Sequence, residues 1–337
     1  MVLLAVDVGF GLVKGLSSDG RKVSFRSTIG AFQPVKFSSG MSASSSGRSV
    51  AIEYDGRQIF VGDAALLQST PEATIDARRT VSFEGMALLM AAFSFLTPGK
   101  STEDVKLVVG LPVLHYARLK NEYIKAAKTI HEFFELSFTG GLRVKKMINV
   151  VDVKVLPQPF GACFDLLLND AGQVKDQHIA EGSIGVIDNG YNTLDLLRVE
   201  GLEYLEPRSK SFSEAGAFSV CRDLSEKLYQ RFGVELPPEK VEKYLDKDVI
   251  VIRGKSELIS GLKAECYTNQ ALNIISRVKS TWPDYPLLGL MPLVGGGIVN
   301  ISEHLQRELG DAAAPVADPV WSNVSGYLKF GKRVWKQ

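Results

Sequence analysis

Residues 3–16 read LLAVDVGFGLVKGL and residues 184–197 read IGVIDNGYNTLDLL, and the two stretches match position by position. Asp7 falls on Asp188, Gly9 on Gly190 and Phe10 on Tyr191. Each copy is an apolar run, an Asp-x-Gly-aromatic turn and a second apolar run, the pattern of a β-hairpin with a glycine-containing loop. Self-similarity over such a distance predicts a chain of two related halves. A length of 337 residues agrees, since domains run to roughly 100–200 residues.

Composition narrows the class. Hydrophobic residues are 45% and charged residues 23%, values that exclude disorder, collagen-like repeats and small stapled scaffolds. The net charge of +1 provides no positive field for phosphate backbones, so no direct nucleic acid binding is expected. Cys163, Cys221 and Cys266 are far apart, and with His115, His131, His178 and His304 they form no zinc-ligand spacing. They read as reduced, buried thiols of a cytoplasmic protein. The N-terminal run MVLLAVDV lacks a basic leader, and GMALLMAAFSFLT at 85–97 is too short to span a bilayer. No membrane association is expected.

Along the chain, KLVVGLPV at 106–113 reads as a buried strand between helical spacings at 83–97 and 114–136. VAIEYDG and RQIFVGD are short strands that follow a Ser-rich insertion, residues 38–50, expected to be a surface loop. QPFGACFDLLLND opens a helix closing near Gly172, and QVKDQHIAEGS is a candidate boundary. Helices are expected over 215–232 and 256–278, followed by strand, glycine turn and helix in PLLGLMPLVGGGIVNISEHLQREL. The tail ADPVWSNVSGYLKFGKRVW shows no clear period.

Paired glycine turns, each preceded by an aspartate at a strand end, suit a polyphosphate, because turn N–H groups meet phosphate oxygens without side-chain obstruction. Asp7 and Asp188 would then face one Mg²⁺, which keeps several waters and is held by few carboxylates. Lys14, in the strand leaving the first turn, is placed to neutralise a terminal phosphate. Gly295, Gly296 and Gly297 leave a bare backbone for a flat base or an α-phosphate. Either hairpin alone reads equally as a structural turn, and the glycine run alone as a flexible connection.

The order DVGFGLVKG, LPQPFGA, VIDNGYNTLD, VGGG resembles the phosphate 1, connect 1, phosphate 2 and adenosine motifs of the actin, sugar kinase and Hsp70 superfamily. Within it, GLPV at 110–113, IDNGYNTLD at 187–195 and ADPVWSNVSGYLK are most similar to the bacterial ParM/StbA plasmid-segregation actins. The resemblance implies an α/β actin-like (ribonuclease H-like) fold with two related domains flanking a nucleotide cleft. Domain I would cover 1–172, with an insertion at about 25–85 and residues 318–337 packing back on it; domain II would cover 173–317.

It also implies roles. Asp7, Gly9, Phe10, Gly11 and Lys14 would form the first phosphate loop, and Asp188, Gly190, Tyr191, Asn192 and Thr193 the second. Gln158 falls at the water-orienting position, where ParM is similar to a version with Glu; the alternative is a solvated residue at a helix start. Glu226 would meet the ribose, or stand as an exposed carboxylate beside Lys227. The first loop carries Phe10-Gly11-Leu12 where many relatives have small hydroxyl residues, so its phosphate contacts would come from backbone N–H groups.

The implied activity is Mg²⁺-dependent hydrolysis of ATP, with GTP as the alternative, coupled to polymerisation into self-assembled filaments. A ParR-like DNA-binding adaptor would link the filament to centromere-like DNA. Competing expectations are a sugar-type small-molecule kinase of the same superfamily and a cytoskeletal filament with non-plasmid cargo. Lys329, Lys332, Arg333 and Lys336 would form either a solvated tail or a surface for an acidic partner.

Overall fold

The structure, a computed structural model, describes residues 1–36, 48–72, 77–100 and 102–336. The chain divides into two compact units, Met1–Gln177 with Trp321–Gln337, and His178–Val320. Most of the Ser-rich insertion lies outside the described residues.

The first unit is built on β1 (Val2–Val8), β2 (Leu12–Ser17), β3 (Lys22–Arg26), β4 (Ile29–Ala31), β5 (Ser49–Tyr54), β6 (Arg57–Gly62), β7 (Pro71–Glu72), β8 (Thr102–Leu111), β9 (Glu132–Leu136) and β10 (Arg143–Pro157). They form one sheet in the order β3-β2-β1-β8-β10-β9-β5-β6-β4-β7. β1 is antiparallel to β2 and parallel to β8. Its apolar run is continuous because both faces are covered. Val2, Leu4 and Val6 join the large core, while Leu3 and Ala5 join a second core on the opposite face.

The helices of this unit are α1 (Asp63–Gln68), α2 (Phe83–Leu96), α3 (Val113–Lys128) and α4 (Phe160–Leu167). α2 is buried along nearly its whole length; a helix apolar on all sides belongs inside a core, and that is the role of GMALLMAAF. Among the described residues no helix is long and apolar enough to cross a membrane.

α5 (Gln177–Glu181) carries the chain onward. The second unit has β11 (Ser183–Asn189), β12 (Thr193–Glu200), β13 (Glu203–Tyr204) and β14 (Lys210–Ser213), then α6 (Phe218–Phe232) and α7 (Pro238–Val241). β15 (Val249–Ile252) and β16 (Lys255–Leu258) form a separate ribbon. After them come α8 (Ser260–Thr281), β17 (Met291–Val294), α9 (Ser302–Leu309) and β18 (Ala313–Pro315). The sheet order is β13-β12-β11-β17-β18, with β14 paired to β12. α6 stops at Gly233, whose φ of 64° is the left-handed conformation that closes helices at little cost for glycine. α10 (Ser322–Trp335) returns the chain to the first unit, where it packs on α4 and β1.

Several expectations are corrected. The helical spacing at 114–136 spans two elements, because α3 ends at Lys128 and Glu132–Leu136 pairs antiparallel with β10 and β5. The helix expected to close near Gly172 stops at Leu167, and Leu168 bridges Val174. The hairpin Val249–Leu258 takes the place of the start of the helix expected from residue 256. In the tail without a period, Ser322–Trp335 form a 14-residue helix. Its cations are engaged within the first unit: Lys329 with Asp165 at 2.8 Å, Lys332 with the Asp170 carbonyl at 2.8 Å, and Arg333 with the Gly172 carbonyl at 3.4 Å. All three cysteines are buried and free.

Candidate functional site

In the first unit the β1–β2 turn closes by the Gly9 N–H donating to the Leu12 carbonyl at 3.2 Å. A Cβ at Gly9 would lie 2.8 Å from that same oxygen, so the turn excludes a side chain there. Asp7 and Lys14 are directly opposed across the hairpin, and residues so paired project to the same face. Their charged groups meet at 3.0 Å, and Asp7 is only 2% exposed. Gln158 donates from Nε2 to Asp7 Oδ1. Three residues expected to act together are therefore in contact within one unit.

The carbonyls of this turn are held from behind. Gly11 O accepts from the Ser27 N–H at 3.0 Å, and Phe10 O faces the Arg79 guanidinium at 3.5 Å. Arg79 is buried, bonded to Ser27 Oγ at 3.0 Å and paired with the buried Glu84 at 2.7 Å. In a planar trans peptide the N–H points opposite to the carbonyl, so the Gly11 N–H is turned away from Arg79. Sequence reading missed Arg79, which lies in no turn motif.

The second unit repeats the hairpin. The Gly190 N–H donates to Thr193 O at 3.0 Å. The carbonyls of Gly190, Tyr191 and Asn192 accept from the N–H groups of Ala217, Phe218 and Gly216 at 2.8, 2.8 and 3.2 Å. A Cβ at Gly216 would meet these backbone atoms at 2.6–2.7 Å, so only glycine allows the approach. By the same planarity argument the N–H groups of Tyr191 and Asn192 point away from α6. The Tyr191 ring stacks on Phe218 at 5.1 Å.

Asp188, 5% exposed, is paired across the hairpin with Asp195. Asp195 therefore holds the place that Lys14 holds in the first hairpin. Thr193 Oγ1 donates to Asp195 Oδ2 at 2.9 Å, while Oδ1 has no partner among the described residues. Burial pushes the Asp195 carboxyl up to about 6, against the opposing effect of hydrogen bonds from Ser211 and Thr193. The quoted motif ends on Asp195, yet the residue was not singled out; its register opposite Asp188 was the available signal.

The glycine run lies against the same strand. Gly295 has φ of 91°, and a Cβ there would be 2.4 Å from Asn189 O and 2.6 Å from Asp188 Oδ1. A Cβ at Gly297 would meet Asn189 Nδ2 at 2.4 Å, whereas Gly296 has open space. Residues 296–298 form a three-ten turn, and α9 begins only at Ser302. Glu226 stands on the exposed face of α6, accepting from Gln230 at 3.1 Å, and Lys227 pairs instead with Glu265 at 3.0 Å.

Residues 5–161 match the family described as actin-like proteins, N-terminal domain, and residues 186–307 match the archaeal actin homologue MreB-like C-terminal family. The chain belongs to the actin-like family. An archaeal actin homolog of Thermoplasma volcanium is 26% identical to this actin-like chain over 99% of both. Among solved structures, a 15-stranded ParM filament from Clostridium botulinum superposes with a TM-score of 0.80 at 20% identity, over 98% of this chain and 99% of that one. An archaeal actin homolog in complex with ADP superposes at 0.78, 20% identity and full coverage of both chains. The fold is the actin-like α/β fold.

Proposed function

We propose that this actin-like chain binds and hydrolyses a nucleoside triphosphate and polymerises in a nucleotide-dependent manner. The observation that carries the reading is the repeated hairpin. In each unit a buried aspartate sits at the end of the first strand, a glycine turn follows, and the turn carbonyls are bonded inward so that N–H groups face the other way. Oriented N–H groups of this kind bind anionic phosphate. The ADP complex of an archaeal actin homolog supports the same ligand class here.

The residues fit a divalent cation. Asp188 and Asp195 are neighbouring buried carboxylates, and Asp195 Oδ1 is an acceptor without a partner among the described residues. No group of three or more His, Cys, Asp and Glu side chains suited to a metal occurs among the described residues. A pair of buried carboxylates suits Mg²⁺, which is held by one or two carboxylates together with phosphates and water. Asp188 would hold it, and bound Mg²⁺ would supply neutralisation of charge on the phosphates.

In the proposed reaction Gln158 Oε1 accepts a hydrogen bond from the attacking water while its Nε2 stays on Asp7. A carboxamide does not take the proton, so catalysis comes from positioning and from charge neutralisation by Lys14. Turnover by an isolated subunit is accordingly slow.

The ParM filament supports head-to-tail assembly, a heterologous contact that does not close into a ring. Plasmid segregation through a ParR-like adaptor on centromere-like DNA is the finer reading, and the tail motif SNVSGYLK supports it. The net charge of +1 fits a motor that leaves DNA contact to its adaptor.

Replacing Asp188 by Ala is expected to weaken magnesium-nucleotide binding roughly tenfold, measured by calorimetry with ATP and with GTP. Unchanged affinity and metal dependence would remove Asp188 from the site. Gln158→Ala is expected to slow hydrolysis about tenfold and leave assembly intact, so sedimentation with nucleotide should show longer-lived polymer. Equal phosphate release by this variant and the parent protein contradicts the role given to Gln158. Sugar-dependent turnover without polymer would favour the kinase alternative.

A further inference from the structure

We propose that Tyr327 positions Gln158, so that the C-terminal helix sets the angle from which the glutamine addresses the attacking water. The inference rests on the role given above to Gln158 and assigns a function to the tail that follows from its place in the fold.

Gln158 is held by its backbone at both ends. Its N–H donates to Leu111 O at 2.7 Å. Its carbonyl accepts from the Tyr327 hydroxyl at 2.8 Å and from the Gly161 N–H at 3.3 Å. With both peptide groups fixed, the direction of the Cα–Cβ bond is fixed. The side chain then needs few rotamers frozen to reach Asp7 Oδ1.

Tyr327 has no exposure, and a buried phenol must find a partner for its hydroxyl. The ring occupies a socket kept open by two glycines. A Cβ at Gly110 would lie 1.9 Å from the Tyr327 hydroxyl, and one at Gly161 would lie 2.6 Å from its ring. Three further contacts keep α10 from sliding. Asn323 Oδ1 accepts from the Ala162 N–H at 3.2 Å, Ser322 Oγ donates to Asp165 Oδ2 at 2.9 Å, and Lys329 pairs with Asp165 at 2.8 Å. The hydroxyl is thereby delivered to one carbonyl, the one that begins α4 at the edge of the site. Because Tyr327 acts through Gln158, it is a positioning residue.

Tyr327→Phe keeps the ring in its socket and removes only the hydroxyl. We expect affinity for a fluorescent ADP analogue to stay within about twofold of the parent protein, and single-turnover ATP hydrolysis to fall roughly threefold to fivefold. In a Gln158→Ala background the same substitution should cause no further loss, since residues acting through one group are non-additive. The Gln158 side-chain amide resonance, assigned by its disappearance in Gln158→Ala, should shift in Tyr327→Phe. An unchanged hydrolysis rate, an equal fractional loss in both backgrounds, or an unmoved resonance overturns the proposal. Failure of the parent protein to bind ATP, or of Gln158→Ala to slow hydrolysis, overturns the reading on which it rests and is seen in separate measurements.

Discussion

Replacing Gly326 by alanine is expected to lower stability by about 2–3 kcal/mol. On helix propensity alone the substitution would stabilise α10 by about 1 kcal/mol, so the sign of the effect is informative. A Cβ at 326 would lie 1.7 Å from Gly161 O and 2.9 Å from the Asp165 N. Both are backbone atoms, which no rotamer change can move aside. α10 and α4 would have to separate, weakening the hydrogen bonds from Tyr327 to Gln158 and from Ala162 to Asn323. Denaturation in urea, followed by fluorescence, is a direct measure because Trp321 precedes this helix and Trp335 is its last residue. A midpoint equal to or above that of the parent protein would mean that the two helices do not touch at Gly326.

Asp195→Asn is expected to stabilise the nucleotide-free protein in chelator by about 3 kcal/mol at pH 8, with the gain vanishing below pH 4. The sign follows from the direction of the shift. Burial pushes the folded carboxyl up to about 6, above the ordinary aspartate value of 3.8, so folding favours the neutral acid. That stabilisation is fully present below about pH 4 and is lost as pH rises through about 6. Asparagine is neutral throughout, and its side-chain oxygen can still accept from Thr193. Melting temperatures of the two proteins measured from pH 4 to 8 should diverge with rising pH. Parallel curves would show that Asp195 is not buried as an ionisable acid. A protein that retains a destabilising carboxylate beside Asp188 is consistent with use of that charge in the site.

Much of the fold and of the site was legible from residue order. The two hairpins could be read because a strand buried on both faces must be a continuous apolar run, and a tight turn between such runs requires glycine. Asp7 and Lys14 were marked by their places in the first hairpin and Gln158 by the family resemblance of LPQPFGA, and they meet in one unit. Other assignments failed where the deciding partner was distant in the chain. Ile130, Phe133 and Phe134 continue the helical spacing of α3, but Phe133 and its neighbours pair with residues 143–147 and 51–53 to form a strand. Arg79 is an ordinary arginine until Glu84, Ser27 and Phe10 surround it.

The repeat of Asp-x-Gly hairpins and its two aspartates were determined by the sequence itself, since local backbone demands for glycine and burial leave their mark on adjacent residues, and the order of four motifs carried the resemblance to the actin-like class. Only the tertiary structure decided that Lys14 and Asp195 occupy equivalent places across from the two aspartates, and that the C-terminal helix reaches Gln158. Register and helix packing depend on contacts between residues far apart in the chain, as between Gln158 and Tyr327, and no local period records them.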